Sequence, residues 1–428
     1  MTFGKATGSR VAQLAAGDAL LPALLALATV ASTATKLRLP GVPLGIGELL
    51  LTGWLASSLM LRSVGSGFRW NDGFALRWGG LFLLLTACAL LVGAIQAEAV
   101  GVTSTYDTLH EAMAWVFVLT LVAWFLLESD SPRAVLRFLK WFAGLGLLLA
   151  TLLLVAAILS RLVLGTQWFW YFGFRMSGWS ENPNQLAAML APLPFLAVHF
   201  RAREGSRRSR ALWVTGIVGC VLAGLATQSD ALFAAWMLGL SVMLTASWVR
   251  GLLGQARTVR SILVNGVVLP LAVAAMLVPT AATLLHLFEA TVEDRASEGG
   301  QAGTRLSLWR HGLQAVMESP LVGWGPGSHS GVERPFAGTE SHNTFIDLAA
   351  QAGLPVSLAL AVIVMLAAIG PIRRHALPIG LAVVATATFA FFHNCLRHPV
   401  FWLVVFGALA ASHAGQVARR GAVDLRHL

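Results

Sequence analysis

The sequence predicts an all-α polytopic membrane protein with about 12 transmembrane helices, on the grounds of composition, segment length and charge placement. Of its 428 residues, 57% are hydrophobic and 12% are charged, whereas soluble domains carry roughly 25% charged residues. The apolar runs have about the length that a helix needs to cross a hydrocarbon core of roughly 30 Å. They lack the ten-residue alternation of outer-membrane barrels, so helices are expected to satisfy the backbone polar groups in lipid.

The hydropathy pattern predicts each span in chain order, with boundaries good to a few residues. The expected spans are residues 18–35, 41–61, 79–97, 109–127, 138–164, 185–200, 211–228, 230–249, 262–288, 344–369, 376–393 and 399–416. Pro192 and Pro194 lie within the sixth span and are expected to kink it. We therefore expect a single integral membrane domain over residues 1–428, with a loop at residues 289–343 inserted between spans 9 and 10.

The basic residues predict the orientation. If the N-terminus is cytoplasmic, most of the 30 lysines and arginines fall on the cytoplasmic side, as the positive-inside rule requires. Both termini are then cytoplasmic and the loop at 289–343 faces the periplasm. The basic run at 201–210 is interpreted as a topology anchor beside anionic membrane lipid, so the formal charge of +10 does not indicate a nucleic-acid partner.

The cysteines and histidines give no metal or redox motif. Cys88, Cys220 and Cys395 lie in or beside apolar runs and are expected to be buried free thiols. His393 and His398 flank a short interval between the last two spans, but their spacing matches no common metal motif. The sequence therefore predicts no metal site.

The loop at 289–343 is the one long polar interval in an otherwise apolar chain, and loops of this length are usually functional or disordered. Its segment Arg305–Glu318 is amphipathic, which argues against disorder. Five residues recur at helical spacing and predict the apolar side of a helix lying along the membrane surface: Arg305, Leu306, Trp309, Leu313 and Val316.

After this helix the loop carries a glycine-rich segment, Gly323–Gly327, which includes Gly325 and Gly327. Turns explain these glycines, and so would close approach of the backbone to a phosphate or sugar. No Gly-Lys-Ser/Thr follows, so the segment is not a P-loop.

The loop ends at the tenth span. Asn343 or Thr344 can cap that helix, with Thr344 and Asp347 as a possible capping box. His342 is not needed for capping. The positive end of the helix dipole favours its neutral imidazole, the form that accepts a proton.

Two other segments reach the predicted outer face. Arg175–Gln185 precedes the sixth span, and Asn182 followed by Pro183 is typical of a helix N-terminus. Asp230, at the start of the eighth span, is interpreted as an N-cap or as a partner for an outer arginine.

Taken together, these residues resemble the bacterial O-antigen ligase and O-antigen (exopolysaccharide) polymerase family of membrane glycosyltransferases, with a C-type glycosyltransferase-like architecture. The likeness covers the whole hydrophobic organisation, including the late periplasmic loop with its short helices. It is concentrated in Arg175–Gln185, which ends in NPNQ, and in residues 305–355, which contain PLVGWGPG and HN.

The resemblance implies a metal-independent inverting transfer, without a cofactor, on the periplasmic face of the bacterial inner membrane. The donor would be a glycan on undecaprenyl pyrophosphate. The acceptor would be another lipid-linked repeat for a polymerase, which we take first, or lipid A core for a ligase. Proteins of polysaccharide chain-length control or export are possible partners. The alternative classes are a glycolipid flippase or secondary transporter and a non-catalytic assembly subunit.

Carried over by position, the resemblance implies that His342 activates the acceptor hydroxyl and that Arg305 and Arg175 bind the pyrophosphate. Asn182, Asn184, Gly325, Gly327 and Asn343 are candidates for acceptor binding or loop shaping. Where many members have Thr-x-Ser-Arg, this chain has Thr227-Gln228-Ser229-Asp230. An arginine expected in the pyrophosphate clamp is missing, and Arg310 or Arg397 are the candidates to replace it.

Overall fold

The protein is described here from a computed structural model, which describes residues 20–38, 45–64, 74–101, 105–129, 131–253, 301–328 and 339–424. The predicted ninth span, 262–288, lies outside the described residues, as do residues 289–300 and 329–338 of the predicted loop.

The described chain is almost entirely helical. Its first helices are α1 (Leu20–Ala31), α2 (Ile46–Val64), α3 (Phe74–Val100), α4 (Thr105–Glu128) and α5 (Pro132–Leu162). A two-stranded hairpin, β1 (Trp170–Tyr171) and β2 (Arg175–Met176), leads into α6 (Pro183–Leu190), α7 (Leu193–Arg201), α8 (Arg207–Thr227) and α9 (Asp230–Leu253). The last helices are α10 (Gln301–Glu318), α11 (Thr344–Ala352), α12 (Leu354–Arg373), α13 (Leu377–Phe392) and α14 (Pro399–Asp424).

Among the described residues, six helices are long and apolar enough to cross a membrane: α3, α4, α5, α8, α9 and α12. α1, α13 and the first part of α14 are shorter apolar helices. The all-α polytopic class is therefore confirmed, while the number of about 12 spans stays a prediction.

Two predicted spans are each divided into two helices. The span at 185–200 breaks between α6 and α7 at Pro192, which has no N–H to continue the helical hydrogen bonds. The span at 344–369 breaks at Gly353, whose φ is +85°. A Cβ there would lie 2.2 Å from the carbonyl oxygen of Leu321, so only glycine lets the α10–α11 connection come this close.

The packed core surrounds α14. Trp402 is fully buried. Its ring centroid lies 6.1 Å from that of Phe82 in α3 and 6.3 Å from that of Trp115 in α4. Its Nε1 donates a hydrogen bond to the carbonyl oxygen of Leu396 at 2.7 Å. The outer helices instead expose large apolar side chains such as Leu84 of α3, as expected where lipid replaces water.

The cysteines differ in part from expectation. Cys220 and Cys395 are buried free thiols, as predicted, but Cys88 is exposed on α3. An apolar run in a membrane helix predicts surroundings without water, and those surroundings are either protein or lipid. Which of the two a side chain meets depends on how the helix is packed.

Candidate active site

The candidate site lies where the ends of α6, α8, α10, α11 and α13 come together. α11 is the central element, since it packs against α3, α10, α12 and α13. Asn343 caps α11: its side-chain oxygen accepts from the N–H groups of Phe345 and Ile346 at 3.0 and 3.1 Å. The predicted capping box is wrong, because the Asp347 carboxylate accepts from the Ser341 N–H at 2.9 Å.

Thr344 does not cap α11 and instead connects the start of that helix to the α13–α14 loop. Its hydroxyl donates to the carbonyl oxygen of His393 at 2.7 Å and accepts from the N–H of Cys395 at 2.9 Å. Thr344 is fully buried. The start of α11 is therefore fixed to the α13–α14 loop.

The helix carrying Arg305 was predicted correctly, and Val316 of its predicted apolar side is buried, but Leu313 is not. α10 buries Leu308, Ala315 and Val316, whereas Leu313 is 53% exposed. Ala315 and Val316 pack against Ala349 and Ala350 of α11, whose small side chains allow close approach. The position of α11, rather than the apolar spacing in α10, thus decides the buried face.

Arg305 is half-buried in a mixed electrostatic environment. Burial lowers the pKa of its guanidinium, Asp230 raises it, and the nearby positive charge of Arg175 lowers it again. Three segments that are far apart in sequence therefore meet here. Of the two interpretations offered for Asp230, the one as a partner for an outer arginine is the one that this arrangement favours.

Arg175 is held by the residues around it. Its Nε donates to the carbonyl oxygen of Thr227 at 3.1 Å and its Nη2 to Oδ1 of Asn184 at 3.4 Å. Asn182 caps α6, as predicted, by accepting from the Asn184 N–H at 2.9 Å. The two asparagines thus shape the turn that orients Arg175.

A segment that the sequence interpretation missed supports this turn. The Thr35 hydroxyl donates to the side-chain oxygen of Gln185 at 2.6 Å and accepts from the Glu181 N–H at 2.8 Å. The Lys36 ammonium donates to Ser177 at 2.9 Å, and burial lowers its pKa while Glu181 raises it. The available signal was that Lys36 is one of the few basic residues on the predicted outer side.

His342 lies directly before the α11 cap. Its backbone is left-handed, with φ +54°, and its ring centroid is 5.8 Å from that of His393. Burial lowers the pKa of His342, Glu340 raises it, and Arg305 lowers it. The net direction is downward, so the neutral imidazole is the main form near pH 7.

Gly323–Gly327 forms a turn between α3 and α11. The N–H groups of Trp324 and Gly325 donate to the carbonyl oxygens of Ala350 and Gln351 at 2.8 and 2.9 Å. Gly325 has φ +80°, and a Cβ there would lie 2.4 Å from the backbone nitrogen of Ala94. Protein backbone therefore accounts for this glycine without a ligand, and Gly327, at φ +87°, belongs to the same turn.

The two arginines considered as replacements differ in position. Arg397 pairs with Glu111, at 2.6 Å, and with Glu340. Burial lowers the pKa of Arg397, but Glu340 and Glu111 outweigh that effect and raise it. Arg397 thus links α4 to the segment before His342, whereas Arg310 is exposed on α10. A role for either in pyrophosphate binding stays a prediction.

Comparison with known proteins supports a family resemblance over part of the chain. A family model described as O-antigen ligase matches residues 215–361. Over this stretch, the chain is similar to the O-antigen ligase family. The match includes Asp230, Arg305 and His342, while Arg175 and His393 lie outside it. The match supports the resemblance to the O-antigen ligase and polymerase family. No curated protein matches the chain.

Metal binding has no support in the described part of the chain. Within residues 20–424, leaving out the undescribed intervals, no three His, Cys, Asp or Glu side chains are grouped as metal ligands. The metal-independent mechanism stays a prediction.

Proposed function

We propose that the protein transfers a glycan from undecaprenyl pyrophosphate to an acceptor hydroxyl, as a repeat-unit polymerase of O-antigen or exopolysaccharide. The reaction takes place on the periplasmic face of the inner membrane. The observation that supports this most strongly is the meeting of Arg305, Arg175 and His342, which come from three different segments. Two cations and a neutral imidazole are the groups that this transfer requires.

The arginines suit the leaving group. Pyrophosphate departs with developing negative charge, and a guanidinium can donate two parallel hydrogen bonds to phosphate oxygens. Arg305 and Arg175 repel each other across the site, so an anion between them relieves that repulsion. Asp230 compensates part of this charge when no anion is bound.

His342 suits the acceptor. A general base must be unprotonated and within about 3 Å of the hydroxyl that it activates. The lowered pKa of His342 keeps it unprotonated. In an inverting transfer it would accept the hydroxyl proton while the oxygen attacks the anomeric carbon from the side opposite the pyrophosphate.

A ligase that transfers the glycan to lipid A core is the second candidate. The description of the matching family, O-antigen ligase, favours it. Both reactions use the same donor chemistry and the same base, so the acceptor alone separates them.

His342→Ala and Arg305→Ala test the proposal. With lipid-linked glycan extracted from cells that make the protein, we expect His342→Ala to lower the transfer rate about 10²–10⁴-fold. Arg305→Ala should lower it about 10²–10³-fold. His375→Ala, in the α12–α13 turn, and Arg208→Ala, exposed at the start of α8, are the matched controls. Full activity in both site variants would exclude the proposal.

The acceptor is identified in the same assay. Purified protein receives the extracted lipid-linked glycan alone, or together with lipid A core. Longer lipid-linked glycans in the first reaction indicate a polymerase. Glycan on lipid A core in the second reaction, without elongation in the first, indicates a ligase.

The periplasmic orientation is tested separately by thiol labelling. The exposed Cys88 is first replaced with serine, and a cysteine is then introduced at Glu318, which is exposed at the end of α10. A membrane-impermeant maleimide should label this cysteine in cells whose outer membrane alone has been permeabilised. Labelling only after lysis of the inner membrane would place α10 on the cytoplasmic side.

A further inference from the structure

His393 is a buried polar residue whose role the family resemblance does not explain. It follows α13 directly and is 6% exposed. Within the part of the chain that the structure describes, its ring contacts are with the rings of Phe389 and His342, and neither ring nitrogen has a hydrogen-bond partner. The described residues therefore leave the hydrogen-bonding capacity of the imidazole unused.

The ring is held in a defined orientation. It stacks on Phe389 with 5.0 Å between centroids and 26° between planes. The backbone carbonyl oxygen of His393 accepts a hydrogen bond from the Thr344 hydroxyl at 2.7 Å. Because Thr344 lies two residues after His342, the same contact fixes the separation of the two histidine backbones.

The two imidazoles contact each other directly. Their centroids are 5.8 Å apart and their planes are nearly perpendicular, at 85°. Ring nitrogens lie about 1 Å from the centroid, and a hydrogen bond from each to one small group spans about 2.8 Å. At this separation a small hydroxyl group beside the two rings can hydrogen-bond to both.

The charged and titratable groups around His393 keep it neutral. Burial lowers its pKa well below the usual value, and Arg305, His342, His398 and Arg175 lower it further. A neutral imidazole has one N–H donor and one acceptor nitrogen, which matches the hydrogen-bonding capacity of a sugar hydroxyl. The next residue, Asn394, adds a buried side-chain N–H₂ without a partner among the described residues.

We propose that His393 contacts the acceptor sugar, hydrogen-bonding to its hydroxyl groups beside His342 and thereby orienting the attacking oxygen. This inference rests on the proposed glycan transfer. The hydroxyl proton passes to His342 as the oxygen bonds to the anomeric carbon. The bond from that carbon to the pyrophosphate breaks, and its electron pair leaves with the pyrophosphate. His393 exchanges no proton and stays neutral throughout.

The test separates hydrogen bonding from ring packing. His393→Phe keeps an aromatic ring against Phe389 but removes both nitrogens, while His393→Gln keeps a donor and an acceptor. His398→Gln, in the same loop, is the matched control. Each protein is purified in detergent and assayed with the extracted lipid-linked glycan, varying donor and acceptor concentrations separately, and its thermal unfolding is measured.

We expect His393→Phe to lower kcat/KM for the acceptor about 10–100-fold while KM for the donor and the unfolding temperature stay near wild type. His393→Gln should recover part of the loss, and His398→Gln should be close to wild type. The inference is overturned if His393→Phe retains acceptor kcat/KM within about twofold while His342→Ala is inactive. If His393→Phe unfolds, His393→Ala decides: an acceptor kcat/KM within about twofold of wild type there also overturns it. Activity retained by both His342→Ala and Arg305→Ala would instead refute the transfer mechanism itself.

Discussion

Gly93→Ala should destabilise the protein, whereas Gly80→Ala on the same helix should not. A Cβ at Gly93 would lie 2.5 Å from the backbone nitrogen of Gly325 and 2.9 Å from the carbonyl oxygen of Val322. A Cβ at Gly80 would meet nothing within 4 Å. The two substitutions thus differ in the close approach of the glycine turn to α3.

The expected change in the free energy of unfolding combines helix propensity with overpacking. Exchanging glycine for alanine in a helix is favourable by about 1 kcal/mol at either position. Overpacking costs about 1–3 kcal/mol, and we take the upper value of about 3 because backbone atoms cannot rotate away. The free energy of unfolding should therefore fall by about 2 kcal/mol in Gly93→Ala and rise by about 1 kcal/mol in Gly80→Ala, a difference of about 3 kcal/mol between the variants.

The assay is thermal and denaturant unfolding of the purified proteins in one detergent, followed by circular dichroism, together with glycan transfer. Since the turn links α10, with Arg305, to α11, which follows His342, Gly93→Ala should also lose activity. Equal unfolding free energies for the two variants would refute the close approach of the turn to α3. Gly325→Ala and Gly101→Ala provide a second pair, because both have positive φ but only Gly325 meets backbone within 4 Å.

The remaining predictions concern the histidine region. Thr344→Val should lower the free energy of unfolding by about 1–3 kcal/mol, because it removes both hydrogen bonds to the α13–α14 loop. Thr388→Val is the matched control, since the Thr388 hydroxyl donates a hydrogen bond within its own helix. Asn343→Ala should cost about 1 kcal/mol by removing the α11 cap, measured by chemical denaturation. In a pH–rate profile, transfer should stay near its full rate somewhat below pH 6.5, because the pKa of His342 is lowered, and Glu340→Gln should move the acidic limb to still lower pH. Folding stability should decline below about pH 6.5, where the unfolded chain binds a proton that the folded His342 does not.

Much of the fold could be predicted from local sequence. Apolar run length gave the helical membrane class, and the Asn182-Pro183 pair correctly predicted the start of α6. The predicted helix at Arg305–Glu318 is also present as part of α10. These features depend on neighbours along the chain, which is the information that a single sequence contains.

Predictions that depended on packing were less successful. The buried face of α10 follows the small residues of α11, and the exposure of Cys88 follows the packing of α3. The division of the span at 344–369 depends on how closely Gly353 approaches Leu321. In each case the deciding atom belongs to a distant part of the chain.

The sequence by itself determined the membrane class and the polar late loop, because composition and hydropathy act locally. It also identified His342, Arg305 and Arg175 as candidates through resemblance. The tertiary structure decided which residues interact. Asp230 acts electrostatically on Arg305, Arg397 forms ion pairs with two carboxylates, and the ring of His393 contacts that of His342. The physical reason is that burial and charge coupling depend on distances through space, which helix packing sets.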